Sequence, residues 1–173
     1  AGFILTASHN PGGPDGDFGL KFNTPSGGQA TEQVTEAVFR TSQQLSGYRI
    51  ASLPAVDLAR TGNAKCGELD IQVIDPVADY ATLMQELFDF AAIRTWLREG
   101  HRIRFDAMHG VTGPYARRIL VDLLGCPPDS ILHAESLPDF GGLHPDPNPI
   151  DAAELVTESL RPDSADLLAA SDG

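Results

Sequence analysis

The chain has 173 residues, with 12 Lys and Arg against 24 Asp and Glu, a formal net charge of −12 and a sequence pI near 4.6, a balance that argues against nucleic acid and anionic membranes as partners. Hydrophobic residues make up 42% and charged residues 21%, a globular composition far from disordered or fibrous chains, and no apolar run approaches the ~18 residues of a membrane helix. A soluble protein of one moderate or two small domains follows.

Phe3, Ile4 and Leu5 read as a short strand, and Ser8 through Asp17 supplies a dense series of turn formers. A helix is expected from Thr31 as cap, with Val34, Ala37, Val38 and Leu45 on one face and Gly47 as its end. From Arg49 to Gly67 no period emerges, and the segment is expected to be irregular. Leu69, Ile71 and Val73 alternate with Asp70 and Gln72 as a half-buried strand. Asp75-Pro76 reads as a helix start, followed by Val77, Tyr80, Met84, Leu87 and Phe88 at helical spacing. A shorter helix carries Ile93, Trp96 and Leu97 and stops at Gly100. Regularity then increases: strand 103–108, helix 115–124, strand 131–134, helix 152–160 and strand 166–170. This β-α-β-α-β order predicts a parallel layer whose carboxyl-end loops, Met108-His109-Gly110 and Ser171-Asp172-Gly173, are the usual place for a ligand.

A domain boundary is expected near residue 79, giving 1–79 and 80–173. The chain begins Ala1-Gly2-Phe3 without an initiator Met or signal segment and ends in an acidic turn after an apolar strand, so both ends read as cut. Cys66 and Cys126 have no CxxC or zinc spacing and read as reduced thiols of a cytoplasmic protein. The 17 Gly and 13 Pro, dense over 10–30 and 125–150, predict long functional loops.

Thr6-Ala7-Ser8-His9-Asn10-Pro11 is the most informative segment. A Ser at a strand end, followed by His, Asn-Pro and glycines, presents its hydroxyl from a turn rich in backbone N–H donors, which suits a phosphoryl group. A plain polar turn remains the alternative on composition alone. His9 is poorly placed as a base for Ser8, because successive side chains of extended backbone point apart. His109 could approach a cleft or serve its loop, His144 through Asn148 reads as a Pro-stiffened turn, a His144/Asp146 metal site is disfavoured, and Arg117-Arg118 reads as a solvated face.

The run Gly2 to Gly13, then Gly16-Asp17-Phe18-Gly19-Leu20-Lys21-Phe22-Asn23, strongly resembles the phosphoserine loop of the phosphoglucomutases in the α-D-phosphohexomutase superfamily. Phe105 to Tyr115 and Asp139 to Asn148 look like second-domain segments of that family, in the expected order. The resemblance implies two partial mixed α/β domains, mainly parallel sheet layers flanked by helices, from a four-domain parent: 1–79 from the phosphoserine domain and 80–173 from domain II up to the metal loop. It implies an isomerase of carbohydrate metabolism that interconverts glucose 1-phosphate and glucose 6-phosphate through glucose 1,6-bisphosphate, with Ser8 as phosphoryl carrier. Lys21 matches the family lysine of acid/base or charge-stabilising chemistry, and His9 is expected to contact substrate or phosphate. Thr6, Ser8, His9, Asn10 and Lys21 form the implied substrate-binding set.

The implied cofactor is one Mg2+, held in the family by a phosphoserine oxygen and three Asp of a DGDxDR loop, an oxygen set suited to a hard cation. Asp172 matches the first of these, so Ser8 and Asp172 are the expected metal residues within this sequence, and the piece by itself is expected to be inactive and to bind the metal negligibly. Sugar phosphates are the expected partners, with no nucleic acid and no membrane; oligomeric state is left open. A phosphomannomutase or other hexomutase, and a non-catalytic homologue acting as a binding or scaffold protein, are the alternatives. A hydrolytic serine enzyme is disfavoured by the absence of a GxSxG elbow around Ser8.

Overall fold

The computed structural model describes residues 2–172 and divides into two compact units. One contains residues 1–5 and 20–76, the other residues 6–19 and 77–173. The division is therefore not contiguous in sequence: the serine loop, 6–19, packs with the carboxyl-terminal half of the chain.

The first unit is built from two antiparallel pairs and a helix. Strands β1 (Gly2–Leu5) and β2 (Leu20–Asn23) pair with Leu5 opposite Leu20 and Ile4 opposite Lys21, and Phe3 and Phe22 meet with ring centroids 5.4 Å apart. Helix α1 (Glu32–Ser42) starts after Thr31, which sits at the cap position in extended backbone, although its side chain makes no capping bond. The helix stops at Ser42, short of the expected Gly47. Strands β3 (Gly62–Cys66) and β4 (Leu69–Val73) form a hairpin with a two-residue turn, Cys66 opposite Leu69. The expected strand β4 is present, whereas β2 and β3 arise in segments read as loop or irregular chain.

The second unit carries the parallel layer. Helix α2 (Pro76–Leu87) has proline in its first turn, and α3 (Phe90–Arg98) is capped by Asp89, whose side chain accepts from Ala92 N at 2.9 Å. Strands β5 (Ile103–Asp106), β6 (Ile131–Leu132) and β7 (Leu167–Ala170) form a parallel sheet in the order β6-β5-β7. Between β5 and β6 a short helix α4 (Gly113–Ala116) opens without a break into a π-helical stretch, Arg117–Leu123. The expected helix over 115–124 thus exists, but it is wound wider than an α-helix, with Leu124 N bonded to Ile119 O at 3.0 Å. Helix α5 (Ala153–Ser159) precedes β7. The core is small: Ala107, Ala116 and Ile131 are buried, packed by Phe105, Leu120, Val121 and Ala134, while Ala152 and Leu155 bury the inner side of α5.

Strands β5 and β6 end earlier than the apolar pattern predicts, at Asp106 and Leu132. The reason is local: Met108, His109 and His133 take φ of 50°, 55° and 45°, which no strand accommodates. The chain turns there, at the carboxyl end of the sheet.

Candidate active site

Ser8 sits in this second unit, at a tight turn rather than in extended chain, with φ of 58°. Thr6 makes the turn: its Oγ1 accepts from Ser8 N at 3.0 Å, while Asn10 N donates to Ala7 O at 3.2 Å. The base of the loop closes through Thr6 N to Gly19 O at 3.0 Å. A side chain at Gly19 would put its Cβ 1.9 Å from Thr6 O, so glycine is the residue that lets the two arms approach. At its other side the loop rests on residues 137–140. A Cβ on Gly12 would lie 2.3 Å from Pro138 O, a backbone atom with no freedom to retreat.

Together these segments enclose an open cleft of about 270 Å³ lined by Thr6, Ser8, Asn10, Val111, Leu137 and Phe140, among others. Ser8 and His9 are half-buried and Asn10 is exposed, so the hydroxyl is reachable while its backbone is held.

His9 turns toward the carboxyl end of β7, where its Nδ1 donates to Asp172 Oδ1 at 3.1 Å. Asp172 is positioned by the strand before it, since Ser171 N donates to Asp106 O at 3.0 Å and Ser171 Oγ meets Thr112 Oγ1 at 2.5 Å. The His9 ring also packs edge-to-face with His144, centroids 5.5 Å apart and planes at 72°. The His144-Pro145-Asp146-Pro147-Asn148 segment is indeed a stiff turn: Asn148 Oδ1 accepts from Ile150 N and Asp151 N at 2.8 and 3.0 Å, and Pro145 is fully buried. His144 Nδ1 and Asn148 Nδ2 both donate to Asp151 Oδ2, at 3.0 and 2.6 Å, and these bonds hold the Asp151 carboxyl below the usual carboxylate range. The ligating atoms of His144, Asp146 and Asp151 come within 4.8 Å of one another, and Asn148 already ties the two carboxylates together.

Of the residues singled out from sequence, Thr6, Ser8, His9, Asn10 and Asp172 are gathered in one unit, and Thr6 has a turn-forming contact that spacing did not indicate. Lys21 belongs to the other unit, half-buried on β2 opposite Ile4. His109 reaches across to the segment after β6, where its Nδ1 donates to Glu135 O at 2.7 Å. Arg117 and Arg118 are exposed, with Arg118 3.6 Å from Asp122. Cys66 and Cys126 are free and buried, and burial pushes the Cys126 thiol up.

Sequence reading missed Asp106. Only 2% exposed, it is the last residue of β5, and its Oδ1 accepts from both Met108 N at 2.8 Å and His133 Nδ1 at 2.9 Å. An Asp closing an apolar strand just before a turn was the available signal.

Residues 1–49 match the family model described as phosphoglucomutase/phosphomannomutase, alpha/beta/alpha domain I, and residues 78–173 match domain II of the same family. The chain is 50% identical to a phosphoglucomutase of Rhizobium radiobacter over 99% of its own length and 32% of the relative's. It is 48% identical to a chloroplastic phosphoglucomutase of Arabidopsis thaliana over 99% of its length and 28% of that protein. Among solved structures it is similar to the exocytosis-sensitive phosphoprotein pp63/parafusin of Paramecium in its open form, with a TM-score of 0.90 and 38% identity over 99% of this chain and 33% of that one. The chain thus spans about a third, or less, of the length of these relatives. The matched domain models, together with likeness across the whole chain, place it in the phosphoglucomutase/phosphomannomutase family.

Proposed function

We propose that this chain is the phosphoryl-carrying part of a phosphoglucomutase, which interconverts glucose 1-phosphate and glucose 6-phosphate. Residues 1–79 are assigned to the phosphoserine domain and 80–173 to domain II up to the start of the metal loop. The observation that carries the reading is the geometry of Ser8: its hydroxyl opens on a cleft, in a turn held by Thr6, beside a histidine bonded to Asp172.

Ser8 Oγ carries the phosphoryl group. A sugar hydroxyl oxygen attacks phosphorus as its proton leaves to a base, the bond from phosphorus to Ser8 Oγ breaks, and Ser8 Oγ takes up a proton as the leaving group, giving glucose 1,6-bisphosphate and free serine. The bisphosphate turns over and the other phosphoryl group returns to Ser8 Oγ. The protein's work in such a transfer is positioning and charge dispersal rather than covalent chemistry of its own. His9 and Asn10 offer polar contacts to the phosphate or the sugar from the loop. Lys21 supplies a point charge or acid/base group.

The residues present fit part of a Mg2+ site: Ser8, once phosphorylated, and the Asp172 carboxylate would offer hard oxygen donors, and the His9 bond fixes one Asp172 oxygen next to the carrier loop. When bound, the cation would disperse the negative charge of the phosphoryl oxygens. Sugar phosphates are the proposed partners. Among the described residues no helix is long and apolar enough to cross a membrane, and a cytoplasmic, reducing setting suits two buried free thiols.

The test is intact mass and phosphopeptide mapping of the intact protein after glucose 1,6-bisphosphate and Mg2+, beside Ser8→Ala. Phosphate on Ser8, lost in the variant together with turnover, is expected. Turnover without phosphate at Ser8 would refute the mechanism, and neither phosphate nor turnover would make the chain a non-catalytic relative.

A further inference from the structure

We propose that Asp106 is a positioning residue for the serine loop, acting through two strained turns rather than by touching substrate; the inference rests on the carrier role of Ser8 given above. The observations form a continuous chain of contacts. One oxygen of a nearly fully buried carboxylate accepts from Met108 N and from His133 Nδ1, so a single atom joins the turn after β5 to the turn after β6. Both turns need such a tie. Strand β6 is two residues long and pairs with β5 at Phe105–Ile131 and Asp106–Leu132, with Ala107 N donating to Leu132 O at 3.1 Å just beyond. Met108, His109 and His133 all hold positive φ, a conformation that persists only where surrounding contacts impose it.

From that tie the contacts run outward to the loop. His109 N donates to His133 O at 3.0 Å, and the two rings lie 4.8 Å apart. Leu137 N donates to His109 O at 3.0 Å, His109 Nδ1 to Glu135 O, and Ser136 Oγ to Gly110 O at 2.7 Å, so the segment after β6 is zipped along the segment after β5. The zipped segment then supplies Leu137, Pro138 and Phe140 to the wall of the Ser8 cleft. Its Pro138 O sits against Gly12 at a separation that no side chain would permit. Asp106 O also accepts from Ser171 N, which couples the same residue to the chain just before Asp172. Loosening Asp106 therefore moves the seat of the carrier loop, and a displacement of about 1 Å at a phosphoryl-transfer centre costs on the order of 10²-fold in rate.

The experiment compares Asp106→Ala, Asp106→Asn and Asp166→Ala in the intact protein. Asp166 provides the control because it also binds a histidine, His101 Nδ1 at 2.9 Å, but at the opposite end of the sheet. Rapid-quench mass spectrometry follows phosphate arriving on Ser8 from glucose 1,6-bisphosphate and Mg2+, steady-state assays give kcat and KM, and amide hydrogen exchange is read over residues 6–19. Asp106→Ala is expected to slow phosphorylation by roughly 10²-fold with KM changed by less than about threefold, and to speed exchange across 6–19. Asp106→Asn, which keeps an acceptor for Met108 N, is expected to recover about a tenth of the wild-type rate. Asp166→Ala is expected to match wild type in all three. Wild-type phosphorylation and unchanged exchange over 6–19 in Asp106→Ala would overturn the proposal. So would a loss accounted for by the unfolded fraction. If Asp106→Ala does not fold, Asp106→Asn decides by the same readouts. If the wild-type protein itself takes up no phosphate, the carrier reading fails, and the exchange comparison still decides whether Asp106 holds the loop.

Discussion

The two ends of the β6-β5-β7 sheet each carry an Asp–His pair, and they are built for different ends. At the amino end, Asp166 accepts from His101 Nδ1 and from Arg102 N at 2.9 and 2.8 Å, His101 stacks on Trp96 with centroids 4.5 Å apart, and the pair is about 40% exposed. Nearby, Arg104 meets Glu158 at 2.9 Å and bonds the carbonyl of Asp129. Among the described residues leading into these strands, only glycines hold positive φ, Gly100 at 100° and Gly125 at 84°. At the carboxyl end, Asp106 is buried and its pair organises turns in which three non-glycine residues hold positive φ. Such a residue costs on the order of 1–3 kcal/mol, so this end spends stability that the other does not. Identical side-chain chemistry thus closes a sheet at one end and aims a loop at the other, and burial with backbone strain is what tells the two apart.

The sharpest way to break this contrast is at the contact between the loop and its seat. Gly12→Ala forces a methyl group against Pro138 O, and phosphate uptake by Ser8 should fall by at least about 10²-fold in a rapid-quench assay. Next comes the pair itself. Asp106→Ala orphans a buried N–H and a histidine, and thermal unfolding should register about 3 kcal/mol, or roughly 5–10 °C in Tm, whereas Asp166→Ala should leave Tm within about 2 °C of wild type. Equal shifts would erase the distinction. A smaller effect is expected at Thr112→Val, which removes the hydroxyl bonded to Ser171 Oγ beside Asp172: denaturant titration should give about 1 kcal/mol. Least of all is the pH dependence at the amino end. The His101 bond, aided by Arg102 N, holds the Asp166 carboxyl below its ordinary range. A lowered carboxylate pKa stabilises the fold above about pH 4, and that contribution disappears as pH falls through the lowered value. Unfolding midpoints between pH 5 and 3 should therefore decline less steeply in Asp166→Asn.

Periodicity found α2, α3, β4, β5, α5 and β7 because their apolar residues recur with the spacing each backbone imposes. It failed where partners rather than side chains made the structure. Gly62-Asn63-Ala64-Lys65-Cys66 has little β character and becomes a strand because β4 lies within reach of a two-residue turn. Leu20 to Asn23 is a strand because β1 is opposite. Met108 and Ala134 read as strand on apolar character alone, yet the chain had already turned, under contacts from Asp106 and His133 that lie 27 residues apart in sequence. The widening of the helix at 117–123 left no trace in residue types. At the site, the serine motif and Asp172 were legible as resemblance, and the His9–Asp172 bond is what gives that resemblance a geometry. The tie made by Asp106 was not legible, because one acceptor atom serving two distant donors is a property of the folded chain.

The strained positions carry a consequence for mutational tolerance. Ser8, Met108, His109, His133 and Phe140 each hold φ between 45° and 58° without being glycine. Glycine at any of them would relieve backbone strain while deleting the side chain. A saturation scan scored for abundance should therefore rank glycine high at the partly exposed Ser8 and Phe140 but not at the buried Met108 or at His133, which pairs with Asp106, while the same scan scored for sugar-phosphate turnover should rank it low at Ser8, so that the two maps diverge where the fold is bent to serve the loop.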